Sequence, residues 1–393
     1  MSCSNRVLEL YSGVGGMHWA MKGCGVSFNV VGAIDINTTA NHVYRHNFLE
    51  TSILQRNIES LSVDEFHRMN VEILLASPPC QPFTRVGWKG DTADSRTKSF
   101  LHVVSLLARL PTPPTYILIE NVKGFEESET RERLITTLHQ CHYTFQEFLL
   151  TPVQFGIPNS RLRYYIVAVH LPRTLPFEPI QEVQTTMPTG CRSSNVHAVG
   201  DYLERLPESE VQDYLLSSQT LNRFGKILDI VTASSRRSCC FTKAYSHYVE
   251  GTGSVLQTTH VDMHSVFAQF SLEKAGCAKA EAQIDRQDDD CPLLSLGLRY
   301  FTPREVANLL CFPSQFEFPD GLSNKQKYRL LGNSLNVHVV TELIRTCFFH
   351  STVQLVLHEY CYLIREHRLT SNGEYKLSLK SICTQKAVLM CVT

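Results

Sequence analysis

Through the first 170 residues, short β-type runs alternate with helix-type segments, and this alternation restricts the fold more than any other feature of the chain. Val7 to Leu10 reads as a strand, followed by a glycine-rich turn and a helix from about Gly16 to Cys24. A second strand is expected at Val30 to Ile36, with a helix near Thr38 to His46. Ile73 to Ala76 and Tyr116 to Ile119 are short apolar runs punctuated by proline or polar residues, hence buried strands, with a helix at Phe100 to Leu110 between them. Phe145 to Leu150 and Tyr164 to Val169 read as a final strand pair. Strands alternating with helices imply an α/β fold, a mostly parallel sheet with helices on both faces.

From about Pro172 the periodicity weakens, and Pro and Ser accumulate through Pro188 to Asn195. Asp285 to Cys291 is a polar, acidic stretch that reads as an exposed loop. Residues 172–297 are therefore expected to be a smaller domain or long insertion. Regular structure resumes at Phe301, where Thr302 is a reasonable N-cap, Pro303 suits the first helical position and Glu305 reaches back.

Composition sets limits. At 393 residues, with 43% apolar and 19% charged, the chain can bury a core without disulfides. Its 14 cysteines include no CxxC pair, so a zinc ribbon or redox dithiol is not expected. Unpaired cysteines in this number point to a reducing compartment. The first residues do not read as a secretory signal, and no apolar run approaches the ~18 residues of a membrane span. The net charge of −1 argues against a sequence-blind polyanion binder. Local basic clusters remain: Arg85 with Lys89, Arg96 and Lys98; Arg161 with Arg163; Arg236, Arg237 and Lys243; Lys325, Lys327 and Arg329. Each taken alone is equally a solvated face.

Five motifs carry chemistry. Glycines in Leu8-Glu9-Leu10-Tyr11-Ser12-Gly13-Val14-Gly15-Gly16-Met17 permit a tight turn and close ligand approach, although plain strand–helix turns use glycine too. No GK[ST] follows, so it is not a P-loop. Asp35 ends the second strand about 20 residues on, where a carboxylate can accept from the ribose hydroxyls of an adenosine-type cofactor. Asn57 and Ile58 are placed where an adenine would be flanked. Ser77-Pro78-Pro79-Cys80-Gln81-Pro82-Phe83 follows a buried strand, and its prolines stiffen the approach to a cysteine at the carboxyl edge of the sheet. A cysteine there is a nucleophile candidate rather than packing. Glu120, in Glu120-Asn121-Val122, ends a neighbouring strand and would face the same crevice. Arg161 and Arg163, at spacing two, are expected to project to one side of a strand.

The ordered set SGVGGM, PPCQPF, ENV, NSRLRYY and LGNSLNV resembles the C5-cytosine methyltransferase family over residues 5 to 170 and 298 to 345. The Cys240-Phe241-Thr242-Lys243-Ala244-Tyr245 segment, followed by Gly251-Thr252-Gly253-Ser254, is similar to the target-recognition signature of the small eukaryotic subfamily, which acts on cytosine 38 of aspartate tRNA. The resemblance implies a Rossmann-like class I methyltransferase fold with a mostly parallel mixed sheet and a smaller target-recognition domain. It assigns 1–171 and 298–347 to the catalytic S-adenosyl-L-methionine-binding domain and 172–297 to target recognition. Residues 348–393 form an atypical tail.

By the same resemblance, Cys80 adds to C6 of cytosine, Glu120 holds the base at N3 and its amine, and Arg163 with Arg161 orients them. Gly13, Val14, Gly15, Asp35, Asn57, Ile58, Ser77, Asn333 and Ser334 border the cofactor. Arg85, Lys89, Cys240, Phe241, Thr242, Lys243 and Tyr245 contact the substrate. A tRNA substrate, no metal, no membrane, a monomer and a cytoplasmic or nuclear location are expected. DNA is the alternative substrate, and a catalytically quiet RNA-binding protein the alternative class. RNA methyltransferases that use two cysteines in different motifs do not carry PPCQPF. The chain departs from the family pattern at Asn159, where Gln is common, at Cys311, where Gly is, and in the tail.

Overall fold

The computed structural model describes residues 4–79, 95–188, 195–277 and 291–349. β1 (Asn5–Leu10), β2 (Phe28–Ile34), β3 (Ile53–Leu54), β4 (Ile73–Ala76), β5 (Tyr116–Val122), β6 (Tyr143–Leu150) and β7 (Arg163–His170) form one sheet, ordered β3-β2-β1-β4-β5-β7-β6. The first five strands are parallel, and β7 runs antiparallel between β5 and β6. The helices α1 (Gly16–Cys24), α2 (Thr38–Asn47), α3 (Val63–Arg68), α4 (Ser95–Leu107) and α5 (Glu129–Gln140) connect them. The expected α/β architecture is what the chain adopts.

Apolar composition explains the central strands. Ile73, Leu74, Leu75 and Ala76 of β4 are all fully buried, as are Leu8 and Leu10 of β1 and Ile117 and Leu118 of β5. Strands covered on both faces read as continuous apolar runs rather than alternating ones. Truncating one such side chain, Leu74→Ala for example, removes about 2–5 kcal/mol. β5 runs past Ile119 because β7 pairs along its whole length, Glu120 with Tyr165 and Val122 with Arg163. Glu120 and Asn121 are thus strand residues, held by a partner more distant in sequence than local periodicity reports.

The strand order reverses between β1 and β4, from which β2 and β3 extend one way and β5 the other. Open α/β sheets bind ligands at such a switch point, at the carboxyl ends of the strands. Register aligns Leu10 with Ala76 and Ala76 with Ile119, so the glycine turn, Ser77 and Glu120 emerge side by side.

The middle region contributes α6 (Glu208–Val211), α7 (Ser218–Phe224), α8 (Met263–Cys277) and the strands β8 (Ile230–Val231) and β9 (Val255–Gln257). A small sheet ordered β10-β9-β8 takes its edge strand from β10 (Leu298–Tyr300), with Leu221, Phe270, Leu293 and Leu296 among its core. Arg299 of β10 donates to both oxygens of buried Glu305 at 2.7 and 2.8 Å, tying the sheet to α9 (Pro303–Leu309). Thr302 and Glu305 form the expected capping box.

α10 (Asn324–Gly332) and α11 (Val337–Phe348) return the chain to its start. Thr341 of α11 donates to the carbonyl of Ala20 at 3.3 Å, and a Cβ on Gly23 would lie 2.9 Å from the Thr341 hydroxyl. This close packing brings residues 333–335 to the first glycine turn. Cys311 has φ 61, a left-handed conformation that glycine adopts at less cost. That geometry explains why glycine is common at this position of the resembled pattern. Residues Met1–Phe348 group as one compact unit.

Candidate active site

A cavity of about 520 Å³ opens at the switch point. That volume is in the range of small-molecule sites. A larger cleft of about 950 Å³ lies along α1 and α11, walled by Trp19, Lys22, His338 and Arg345 among others, but holds none of the residues expected to carry chemistry. The smaller cavity is the candidate on chemical grounds.

One wall is the turn between β1 and α1. Tyr11, Gly13 and Gly15 all have positive φ (55, 52 and 85). Gly15 is required twice over, because a Cβ there would also lie 2.4 Å from the Phe48 ring. The Gly13 N–H donates to Asp35 Oδ2 at 2.9 Å, and the Asn37 N–H donates to Oδ1 at 2.7 Å. Asp35 is thereby locked against the turn, with acceptor capacity left on each oxygen. Burial raises its carboxyl above the ordinary value, while the backbone donors oppose that rise. Ile36 beside it lines the cavity and is 69% exposed, an apolar surface over a polar pocket. Ser12 also lines the cavity, and its buried Oγ has no hydrogen-bond partner.

The second wall is the β4 tip. The Ser77 hydroxyl donates to the Tyr11 carbonyl at 3.2 Å, joining the two tips, and Pro78 and Pro79 line the cavity. Cys80, Arg85 and Lys89 lie outside the described residues.

The third wall holds the charges. The Arg163 Nε stands 3.5 Å from Glu120 Oε1, and both side chains are largely buried. Burial raises the Glu120 carboxyl, and the positive charges of Arg163 and Arg161 pull against it. Arg161 lies just before β7 and Arg163 opens it, and both arginines reach the same cavity. Arg161 donates to the carbonyl of Phe241 at 3.2 Å, of Gly332 at 3.2 Å and of Ser334. It clamps three segments remote in sequence. Its buried Nε has no partner. Asn159 is fully buried and donates to the Ser238 hydroxyl and the Cys239 carbonyl at 3.1 and 3.0 Å, a role that glutamine's longer arm would fill differently.

The last wall comes from 329–335, including Arg329, Asn333 and Ser334, with Lys243 across from them. A Cβ on Gly332 would lie 2.1 Å from the Lys243 nitrogen, so the two backbones touch.

Of the expected cofactor residues, Gly13, Val14, Asp35, Ser77, Asn333 and Ser334 line the cavity, and Gly15 shapes its turn. Asn57 and Ile58 do not line it. Asn57 caps a short helix, and Ile58 is in the core beneath β1. Of the expected substrate contacts in 240–245, Lys243 alone reaches the wall. Phe241 and Tyr245 are buried and meet edge to face at 4.9 Å. The Tyr245 hydroxyl donates to Ser254 O and accepts from the Phe301 N–H. Their rings fill the space that Gly253 leaves open, where a Cβ would sit 2.7 Å from Tyr245. Thr242 pairs through its N–H with the Thr252 carbonyl at 2.9 Å. Cys240 sits behind the guanidiniums, its thiol 3.4 Å from Arg161 Nη1. Burial pushes that thiol up, but the two arginines bring it below its ordinary value. Glu9, Tyr11 and Ser12 stand in the sequence motif of the glycine turn and Ile36 at the end of the second expected strand, but none of the four has an expected role there. The pattern marks Glu9 only by its oddity, a carboxylate inside a buried strand.

The family model for the C-5 cytosine-specific DNA methylase matches residues 5–348. A human tRNA (cytosine(38)-C(5))-methyltransferase is 42% identical, the match covering 87% of this chain and 99% of the human protein. A Dictyostelium discoideum DNA (cytosine-5)-methyltransferase is 38% identical over 86% of this chain and 93% of that protein. The crystal structure of a DNMT2 triple mutant from Spodoptera frugiperda superposes with a TM-score of 0.75 at 43% identity, covering 87% of this chain and 99% of that one.

Proposed function

The chain belongs to the C-5 cytosine-specific DNA methylase family, and on that footing we propose that it methylates carbon 5 of cytosine 38 in the anticodon loop of aspartate tRNA, with S-adenosylmethionine as donor and Cys80 as covalent nucleophile. The observation that carries the reading is the Glu120–Arg163 pair, buried in the cavity that Gly13, Asp35, Ser77 and Pro79 also line. The cofactor fits the residues present. Asp35 offers acceptors for ribose hydroxyls, Ile36 an apolar surface for a planar ring, and the unpartnered Ser12 hydroxyl a free donor.

When bound, S-adenosylmethionine supplies an electrophilic methyl group on a sulfonium. The protein's work is to make carbon 5 nucleophilic. The Cys80 thiolate forms a bond to carbon 6, which gives carbon 5 enamine character. Glu120 holds N3 and the exocyclic amine. Its raised carboxyl is disposed to keep a proton that it can share with N3 as charge builds there. Arg163 holds the Glu120 carboxyl, and Arg161 holds the walls together. After transfer, a base removes the carbon 5 proton, and the Cys80–carbon 6 bond breaks by elimination to restore the thiolate. The base must leave its stack, which costs least in a single-stranded loop.

The tRNA assignment is supported by the near full-length similarity to the human enzyme and by the 240–254 segment. The similarity to the Dictyostelium protein favours DNA as the second reading. We assign target recognition to 172–297, with Arg85, Lys89 and Lys243 against RNA. We also infer a monomer, and a location in the cytoplasm or nucleus, reducing compartments that suit a chain with 14 cysteines and no CxxC pair. Tritiated methyl transfer to purified tRNA and to duplex DNA tests the substrate. Label in tRNA is expected, and label in DNA alone overturns the assignment.

A further inference from the structure

Glu9 is a carboxylate of the cavity wall that this mechanism leaves unused, and among the described residues no cationic side chain pairs with it. It sits on β1, 1% exposed, and faces the cavity beside Ser12 and Gly13. The Tyr44 hydroxyl donates to its Oε2 at 2.8 Å, and the backbone N–H groups of Met17 and His18, in the first turn of α1, also bond to it.

The charges around Glu9 do not balance it. From α2, Tyr44 is a neutral donor whose own ionisation burial pushes far up. From α1, His18 lies behind Tyr44, its Nδ1 2.9 Å from the hydroxyl and its ring stacked 3.7 Å over Phe48. Burial and the charge of Lys22 push His18 down to about 3, so it is neutral. The charged group near Glu9 after β2 is Asp35, which repels it. Burial is the largest influence, and it pushes the Glu9 carboxyl up to about 8. A buried acid in a ligand cavity with neutral or acidic neighbours wants a cation from the ligand.

The cofactor of the proposed reaction changes charge during turnover, because its sulfonium becomes a neutral thioether when the methyl leaves. We propose that Glu9 is the residue by which the site tells donor from spent product: it gives up a proton to solvent when the cationic donor binds, and takes one back once the methyl has gone. The proposal rests on S-adenosylmethionine being the donor. It makes Glu9 a specificity-determining residue for the cofactor, because the sulfonium of the donor gains an ion pair there and the neutral thioether of the product does not.

Isothermal titration of the full chain at pH 7 tests this, with S-adenosylmethionine and with S-adenosylhomocysteine, in phosphate and in Tris. The heats in buffers of different ionisation enthalpy report protons released. With a carboxyl near 8, about nine-tenths of a proton is available for release at pH 7. The donor is expected to release most of it, and the product less than half as much. Glu9→Gln keeps an acceptor for Tyr44, abolishes the release, and reduces donor-over-product preference by roughly tenfold, the equivalent of one pKa unit. Tyr44→Phe guards against a misfolded Gln variant. It leaves the acid in place with one donor fewer, so release persists and its pH midpoint rises. Equal release with both ligands, release surviving in Glu9→Gln, or binding of both ligands with no release overturns the proposal and leaves the proposed function standing. Failure of the wild type to bind either ligand overturns both.

Discussion

Arg161 is expected from the motif to act on the base or on Glu120, but its geometry is that of a clamp. Arg161→Lys separates the two roles. The lysine retains the charge near Glu120 and loses the planar fork that spans three carbonyls. Arg161 now holds Phe241 O, Gly332 O and Ser334 O, and lies within 3.4 Å of Cys240 Sγ. A single ammonium can satisfy one of these buried carbonyls well. Two acceptors left unsatisfied cost about 1–3 kcal/mol each. Since they share one partner, a net loss of about 3 kcal/mol is reasonable. In a unit of this size that lowers the thermal midpoint by several degrees. The freed Gly332 and Ser334 belong to the cavity wall that packs beside the glycine turn, so cofactor affinity falls as well, by about tenfold. The assays are thermal unfolding followed by circular dichroism and cofactor titration, beside methyl transfer at saturating cofactor. A Lys variant that unfolds and binds cofactor like wild type, yet transfers no methyl, refutes the clamp and restores a role in the chemistry.

Other outcomes follow from the same geometry. Gly253→Ala places a methyl 2.7–2.8 Å from the rings of Tyr245 and Phe241 at φ 153, and is expected to cost about 1–3 kcal/mol in urea unfolding. Glu9 has a folded pKa raised from 4.5 to about 8, so the folded chain holds a proton that the unfolded chain has lost; stability therefore falls as pH rises through that window. The slope is about 1.4 kcal/mol per unit, and denaturation series at pH 5 and pH 8 should show a smaller difference in Glu9→Gln than in wild type. Ile36→Ala removes apolar surface facing the cavity and should weaken cofactor binding about three- to fivefold with unchanged unfolding, since the side chain is 69% exposed.

Much of the site was legible in the sequence because it sits at chain positions that local patterns reveal. Strand tips betray themselves by an apolar run ending in glycine, proline or a carboxylate, and Gly13, Asp35, Ser77 and Glu120 all stand at or beside such tips. What was not legible depends on contacts between remote segments. β5 extends through Val122 because β7 pairs with it, and nothing local to Glu120 announces that. Arg161 was read by its spacing from Arg163, but its partners are 80 and more residues away. Phe241 and Tyr245 are expected at the substrate because they belong to a segment that resembles a recognition signature. The signature's glycine and aromatic residues instead interlock as packing, and the lysine between them reaches the cavity. Glu9 stands in the first motif without a role, because a charged residue within a buried strand has no local pattern to explain it. Its significance appears only when the cavity wall is assembled from β1, α1 and α2.

The central claim is a covalent bond between Cys80 and carbon 6 of cytosine 38. An aspartate tRNA carrying 5-fluorocytosine at that position tests it directly, since fluorine cannot leave carbon 5 as a proton does and elimination of the cysteine is blocked. With S-adenosylmethionine present, a protein–RNA band is expected that survives denaturing electrophoresis and is absent with Cys80→Ala. A band of equal intensity in Cys80→Ala, or none in a wild-type chain that methylates the unmodified tRNA, contradicts it.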